Sequence, residues 1–230
     1  MNFFNFKNKK FLDMSKAEMI SHSIVIVDDT KIVPNKVSSI SNNPFADLSS
    51  KITFINIMEK IDGERNQPII EESPIERSFV FNDIVFKNSS LLPRVIVQQN
   101  SPELSDKLPK IFKEILRELP EIESKIAAVG INFEFFIERE DNGDVKAKIF
   151  QSSIMEGLES MTTTLVYNEA DSKLNLTIAD ANYEGKKGIY FKANFHNKIV
   201  NDNGFQEILK KEKAFFDRAN KRIEELLNVK

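Results

Sequence analysis

The sequence predicts an α+β protein in which an antiparallel meander sheet of about four to six strands carries helices on one face. Two observations predict this class. Segments of alternating apolar and polar residues follow one another between residues 131 and 196, with short connections, which is typical of an antiparallel meander. A central and a C-terminal segment carry apolar residues at spacings of three and four, which is the period of a helix that packs on one face.

The N-terminal part of the chain predicts strands separated by long polar connections. A β-branched run at residues 24–27 is the first predicted strand. Residues 30–50 are rich in Ser and Asn and contain two prolines, which indicates an irregular connection. Strand character returns at residues 51–57, and residues 79–87 and 93–99 predict two further strands.

A kinked central helix is predicted over residues 104–126, where the apolar residues form one stripe. Pro120 would break or kink this helix, because proline has no N–H and disfavours helical dihedrals in the residue before it. We therefore expect two helical pieces, over residues 106–119 and 121–126.

The main sheet is predicted after this helix. Asn142 with Gly143 suits a tight hairpin turn. Before this turn, one strand face carries Ile131, Phe133, Phe135 and Ile137, and the other carries Asn132, Glu134 and Glu138. Residues 184–188, with two glycines and two lysines, predict a hairpin tip. The remaining predicted strands cover residues 145–150, 161–167, 173–179 and 189–196.

A long C-terminal helix is predicted from residue 205 onward. Its apolar seam includes Phe205, Leu209, Phe216 and Ile223, and Glu212 interrupts it once. Neighbouring apolar residues widen the seam into a stripe that could lie across one face of the sheet.

Changes in composition predict three regions. Residues 1–20 are an N-terminal arm, residues 21–90 a β-rich and loop-rich subdomain, and residues 91–230 the main α+β domain. The alternative is one continuous domain over residues 21–230, a length that a single domain can reach.

Composition excludes several kinds of chemistry. The chain has no cysteine and two histidines, His22 and His196, so cysteine nucleophiles, cysteine zinc sites and histidine-rich metal sites are excluded. The formal net charge of −3 gives no general attraction to nucleic acid, and no apolar run is long enough for a transmembrane helix. We expect no metal, no cofactor and a cytoplasmic location. Abundant Asn and Lys indicate a bacterial or phage origin.

The adjacent aspartates Asp28 and Asp29 raise a phosphoryl-transfer hypothesis that the surrounding sequence does not support. Receiver domains carry an acidic pair after their first strand, but Asn56 stands where their phosphorylated aspartate would be. Residues 30–50 also lack the helix that a crossover between parallel strands needs. Haloacid-dehalogenase-like phosphatases need aspartates two apart. We interpret the pair as the polar end of a strand.

The polar face of the meander is the candidate catalytic or ligand-binding site. Alternation places Glu134, Tyr190, Lys192 and His196 on polar strand faces, and these side chains could perform acid–base chemistry if the strand register brings them together. The alternative is a solvated sheet face on which opposite charges pair across strands.

Aromatic residues near both ends of the chain indicate a protein interface. Four phenylalanines lie within the first eleven residues, and such a cluster seldom stays in water. The alternative for the terminal helix is packing on its own sheet. The predicted interface residues are Phe3, Phe4, Phe6, Phe11, Phe205, Leu209, Phe216 and Ile223.

These observations predict a non-catalytic protein that binds a protein partner or assembles with itself as a homo-oligomer. One alternative is a small enzyme or ligand-binding protein that uses the polar sheet face. A second alternative is a nucleic-acid-associated accessory protein.

Overall fold

The computed structural model describes residues 18–28, 51–73, 76–89, 94–118, 120, 123, 126–138, 162–169, 171–199 and 204–228. These residues form nine strands and four helices, which confirms the α+β class. The strands are β1 Glu18–Asp28, β2 Ile69–Glu72, β3 Glu76–Phe81, β4 Ile84–Ser89, β5 Arg94–Gln99, β6 Ile126–Glu138, β7 Thr162–Asn168, β8 Lys173–Tyr183 and β9 Lys186–Lys198. The helices are α1 Lys51–Asp62, α2 Lys107–Glu118, α3 Gly204–Lys210 and α4 Glu212–Asn228.

All nine strands belong to one antiparallel sheet in the order β2-β3-β4-β5-β1-β6-β9-β8-β7. Strand β1 lies between β5 and β6 and pairs with both. Both neighbours belong to the predicted region 91–230, so β1 places an N-terminal strand between two strands of that region. Strand β4, from the predicted region 21–90, pairs with β5, and strands of the two regions therefore share one continuous sheet. The prediction of four to six strands is too low, because the loop-rich N-terminal region adds its strands to the main sheet.

One face of this sheet carries the core, which we call the inner face. Alternate residues point to it along each strand, and the register keeps apolar residues opposite one another, as in Ile24 with Ile131 and Ile131 with Phe195. These three side chains are fully buried. Because the side-chain period of a strand is two, this match across strands fixes the register of the sheet.

The helices cover the inner face mainly through phenylalanine rings. Phe54 of α1 stacks on Phe86 of β4 with ring centroids 4.3 Å apart. At the other end of the sheet, Phe215 of α4 contacts Phe195 of β9 at 4.8 Å. Phe216, also of α4, packs edge-on against Phe133. Burying rings of this size is a large part of the hydrophobic stabilisation of a domain.

Residues 51–57, predicted as a strand, form the first half of α1. Their β-branched residues favour a strand locally. The buried residues Phe54, Ile57 and Met58, together with the partly buried Ile61, recur at spacings of three and four. That spacing buries one helical stripe against the sheet, and tertiary packing outweighs the local propensity.

Pro120 marks the end of the central helix, since α2 stops at Glu118. The predicted second piece, residues 121–126, lies largely outside the described residues, and its last residue, Ile126, begins β6. The predicted strand 145–150 also lies outside them. Strand β6 has β1 and β9 as its two neighbours in the sheet.

The predicted C-terminal helix is present but divided. Helix α3 ends at Lys210 and α4 begins at Glu212, and between them the Lys211 N–H bonds the carbonyl of Ile208 at 3.0 Å. This i to i−3 bond tightens the turn at the junction. The division lies at Lys211, directly before Glu212, the residue that interrupts the apolar seam.

Candidate functional site

The face of the sheet opposite the described helices, which we call the outer face, brings three of the four predicted catalytic residues together. Glu134 of β6 and Lys192 of β9 are opposite one another in the register, and the Lys192 Nζ donates to Glu134 Oε1 at 2.7 Å. The second oxygen of Glu134 accepts a hydrogen bond from Ser21 Oγ at 3.1 Å. The carboxylate is therefore held from both sides by its neighbours in the sheet.

Tyr190 lies beside this pair, two residues before Lys192 on the same strand face. Burial raises the pKa of the Tyr190 hydroxyl, and the charge of Glu134 and a hydrogen bond to it raise that pKa further. Tyr190 therefore keeps its proton at neutral pH. A hydroxyl with a raised pKa is a poor general base, because a base must lose its proton first.

His196 is on the same face but apart from the other three residues. It pairs with Gly130 of β6 and Lys173 of β8 and is exposed. Four residues along a strand separate it from Lys192, which corresponds to about 13 Å. The structure therefore places a carboxylate, a phenol and an amine together, and the imidazole outside their reach.

Other polar residues of the outer face also hydrogen-bond to one another across strands. Asn132 Nδ2 donates to Ser23 Oγ at 3.1 Å, and Asn194 donates to the side-chain oxygen of Asn132. Asn132 is buried although it lies on this face. A buried amide without such partners would cost free energy. The outer face thus has a cross-strand polar network that holds neighbouring strands in register.

A second polar cluster, which the sequence did not single out as a site, lies under the helices on the inner face. His22 of β1 is 1% exposed and Glu212 of α4 is 5% exposed. The His22 Nε2 is 3.7 Å from Glu212 Oε1, which is longer than a hydrogen bond. Both ring nitrogens of His22 and Oε1 of Glu212 lack a hydrogen-bond partner among the described residues.

Burial shifts the pKa values of this pair in opposite directions. Desolvation lowers the pKa of His22 from 6.5 to about 4, although the charge of Asp83 opposes the shift. Desolvation raises the pKa of Glu212 from 4.5 to about 8, and the charge of Asp106 adds to the shift. At neutral pH the imidazole is therefore uncharged and the carboxyl protonated, since low-dielectric surroundings disfavour the charged form of each.

A hydrogen-bonded network borders the His22–Glu212 pair and connects the sheet to the helices. Gln99, opposite His22 in the register, donates to Asp83 Oδ2 at 2.7 Å and accepts from Ser105 Oγ at 2.7 Å. Ser105 also accepts the Lys107 N–H at the start of α2, at 3.3 Å, as an N-cap does. This network satisfies its own polar groups, whereas the neighbouring pair does not.

The break in the apolar seam at Glu212 was the available sequence signal for this pair. A charged residue inside the apolar stripe of a helix indicates either that the stripe reaches solvent at that residue or that the residue has a buried polar partner. His22 precedes the first predicted strand, and its burial follows from the pairing of β1 with β5 and β6, which the sequence does not give.

The two outermost strands of the described sheet are β2 and β7. In β2, Ile69 is 68% exposed and Ile70 is 42% exposed. In β7, Val166 is 55% exposed on the outer face, where Thr162, Thr164 and Asn168 are also exposed. An edge strand presents unpaired backbone N–H and C=O groups to any chain that can pair with it.

On the inner face of the sheet, helix α4 contacts β7 and also Glu169 and Asp171, which follow β7 in the sequence. Arg222 lies over the ring of Tyr167, 4.8 Å from its centroid. Arg218 donates to Glu169 and to Asp171, each at 2.8 Å. A charged hydrogen bond between two elements fixes their relative position more firmly than a neutral one.

Half of the predicted interface residues lie within the described chain. Phe205, Leu209 and Ile223 are buried in the core, and Phe216 is partly buried against it. These side chains therefore pack on the protein's own sheet. Phe3, Phe4, Phe6 and Phe11 lie outside the described residues, as does Asp29, while Asp28 ends β1.

The part of the chain that the structure describes contains no cluster of three or more His, Asp or Glu side chains that could hold a metal ion. None of the described helices is long and apolar enough to cross a membrane. No known protein family and no curated protein matches the sequence. A function for this chain is therefore inferred from the chemistry and position of its side chains.

Proposed function

We propose that this protein acts by binding other protein chains, including copies of itself, and that it performs no catalysis. The observation that carries the proposal is the edge strand β7. It exposes a continuous, uncharged strand at the border of a nine-stranded sheet. Addition of a strand at such an edge is a general way to bind a protein, because backbone hydrogen bonds supply affinity and alternate side chains supply specificity.

The chemistry of the outer face supports a binding function over an enzymatic one. Glu134 is neutralised by Lys192 at 2.7 Å, and Tyr190 has a raised pKa. Catalytic groups instead need a pKa near the working pH and a free position toward the substrate. The polar residues of this face therefore stabilise the sheet.

Native mass spectrometry of the full-length protein tests this function. The expected result is an oligomer of the 26.4 kDa chain, or a complex with a co-purified protein. A monomer that carries a small molecule would contradict the proposal. A monomer without any bound species over the accessible concentration range would also contradict it.

The outer face supports a second candidate, a binding site for a small polar ligand. Glu134, Tyr190 and Lys192 place a carboxylate, a hydroxyl and an amine side by side. This candidate predicts that a bound small molecule is lost in Glu134→Gln and kept in the matched control Glu138→Gln. Glu138 lies on the same strand and forms an exposed ion pair with Lys186 at 3.2 Å.

The nucleic-acid alternative has less support from the described part of the chain. Three basic residues of the C-terminal helical region form ion pairs with acidic ones: Lys211 with Asp171, Arg218 with Glu169, and Arg222 with Glu225. Paired cations release fewer counterions from a phosphate backbone, and counterion release supplies most non-specific affinity.

A further inference from the structure

We propose that β7 pairs with β7 of a second copy of this chain, antiparallel and around a two-fold axis, so that the two sheets become one. This inference rests on the proposed binding function and names the partner. The proposed contact uses the edge of β7 that faces away from β8. A two-fold contact uses the same surface on both copies, so that surface must complement itself.

The composition of β7 meets this requirement. Its seven residues, TTTLVYN, carry no charge and contain no proline or glycine. Most of them are β-branched or aromatic, the types that favour strands. Natural edge strands usually prevent pairing with lysine, proline or a bulge, and β7 has none of these residues or irregularities in its pairing with β8.

The opposite edge strand does not meet the requirement. Strand β2 has only four residues, and two of them are glutamates. Its neighbour β3 adds Glu76 and Arg77. Short length and charge are the usual protections of a sheet edge. Of the two edges, β7 is therefore the one suited to self-pairing.

Contacts with the core and with helix α4 order β7 before any pairing takes place. Leu165 and Tyr167 pack against the core from the inner face, and Arg222 covers the Tyr167 ring. The inner side of the strand is thus fixed, while Thr164 and Val166 are exposed on the outer side. A partner that is ordered before binding loses less conformational entropy on association.

The register follows from pairing the whole strand with itself. Full pairing of all seven residues places the two-fold axis at Leu165, the middle residue. Thr164 of one copy is then opposite Val166 of the other, with Cβ atoms about 4.5–5.5 Å apart. The two Leu165 side chains are opposite each other on the inner face, where they extend the core across the contact.

Sedimentation equilibrium of the full-length protein and three variants tests the pairing. The wild type is expected to be a dimer of twice the 26.4 kDa chain mass. Val166→Lys places a charge in the pairing strand and should weaken the dimer roughly tenfold or more. The matched control is Ile70→Lys on the other edge, which should leave the dimer unchanged. Circular dichroism checks that each variant is folded.

A charge-pair variant tests the register. In Thr164→Glu with Val166→Lys, each lysine is opposite the glutamate of the other copy. This double variant should dimerise more tightly than Val166→Lys alone. No recovery would overturn the register centred on Leu165.

Each remaining outcome separates this inference from the proposed function. A dimer that Val166→Lys does not weaken would overturn the β7 contact but leave protein binding intact. An assembly that Ile70→Lys also weakens would indicate β2 to β7 pairing in an open chain, which likewise overturns it. A wild-type monomer at every concentration overturns the inference, and a co-purified protein partner would then still support the binding function.

Discussion

Replacement of Glu212 by glutamine is expected to remove a loss of stability between about pH 6.5 and 8. In the folded protein Glu212 is protonated up to about pH 8, whereas in the unfolded chain it loses its proton near pH 4.5. Between these values the folded state holds a proton that the unfolded state has released. The free energy of unfolding therefore falls as pH rises through this range.

His22 offsets this fall over part of the range. Its pKa is about 4 when folded and 6.5 when unfolded, so between these values the unfolded state holds the additional proton and stability rises with pH. From about pH 4.5 to 6.5 the two contributions cancel, because folding transfers one proton from the histidine to the glutamate. From 6.5 to 8 only Glu212 contributes. Between pH 6.5 and 8 the free energy of unfolding is therefore expected to fall by about 2 kcal/mol, since one proton changes it by about 1.36 kcal/mol per pH unit.

The Glu212→Gln variant keeps the size and polarity of the protonated side chain but cannot titrate. Its stability should rise by about 3 kcal/mol between pH 4 and 6.5 because of His22 alone, and this pair should contribute no change from 6.5 to 8. Urea unfolding of wild type and variant at pH 5, 6.5 and 8 measures the difference, and the contributions of all other groups cancel in it. Parallel stability curves from pH 6.5 to 8 would refute the reasoning.

Three further changes are expected to alter stability in known directions, each measured by urea unfolding. Gly188→Ala should destabilise by about 1–3 kcal/mol, because a Cβ there would overlap the backbone carbonyl oxygen of Ile137 and the Phe136 ring; an unchanged urea midpoint would contradict this. Glu184→Asn should stabilise by about 0.5–1 kcal/mol, since Glu184 has φ of 51° in a two-residue hairpin turn and asparagine tolerates that region. A fall in stability would argue against it. Arg218→Met should cost about 1–3 kcal/mol, because it removes two 2.8 Å hydrogen bonds and a contact over the Phe195 ring. High salt should reduce that cost, and an equal cost at all salt concentrations would indicate lost packing alone.

Most of the main-sheet strands could be predicted because their side chains alternate. In the segment 131–138 one alternating set is entirely apolar and the other is polar except for Phe136. Strand β6 contains this segment, and the entirely apolar set is buried. Residues 51–57 could not be assigned correctly, because β-branched residues favour a strand locally while a helix buries them as one stripe. Short segments of this kind are decided by what they pack against.

In the candidate sites, too, local patterns predicted some features and the packing of distant segments decided others. Alternation placed Glu134, Tyr190 and Lys192 on polar strand faces, and the pairing of β6 with β9 brought Glu134 opposite Lys192. The burial of His22 beside Glu212 could not be predicted, since 190 residues of sequence separate the two. A contact at that separation depends on strand order, and strand order is not encoded in a local pattern.

The sequence by itself determined the fold class, the polar and apolar faces of most strands, and the absence of cysteine chemistry. Those properties depend on composition and on periods of two and 3.6 residues, which are local. Only the tertiary structure decided that the N-terminal strands join the main sheet, that β2 and β7 are its edges, and that His22 and Glu212 are buried together. These depend on which segments bury each other's apolar surface, and that choice is made by the whole chain at once.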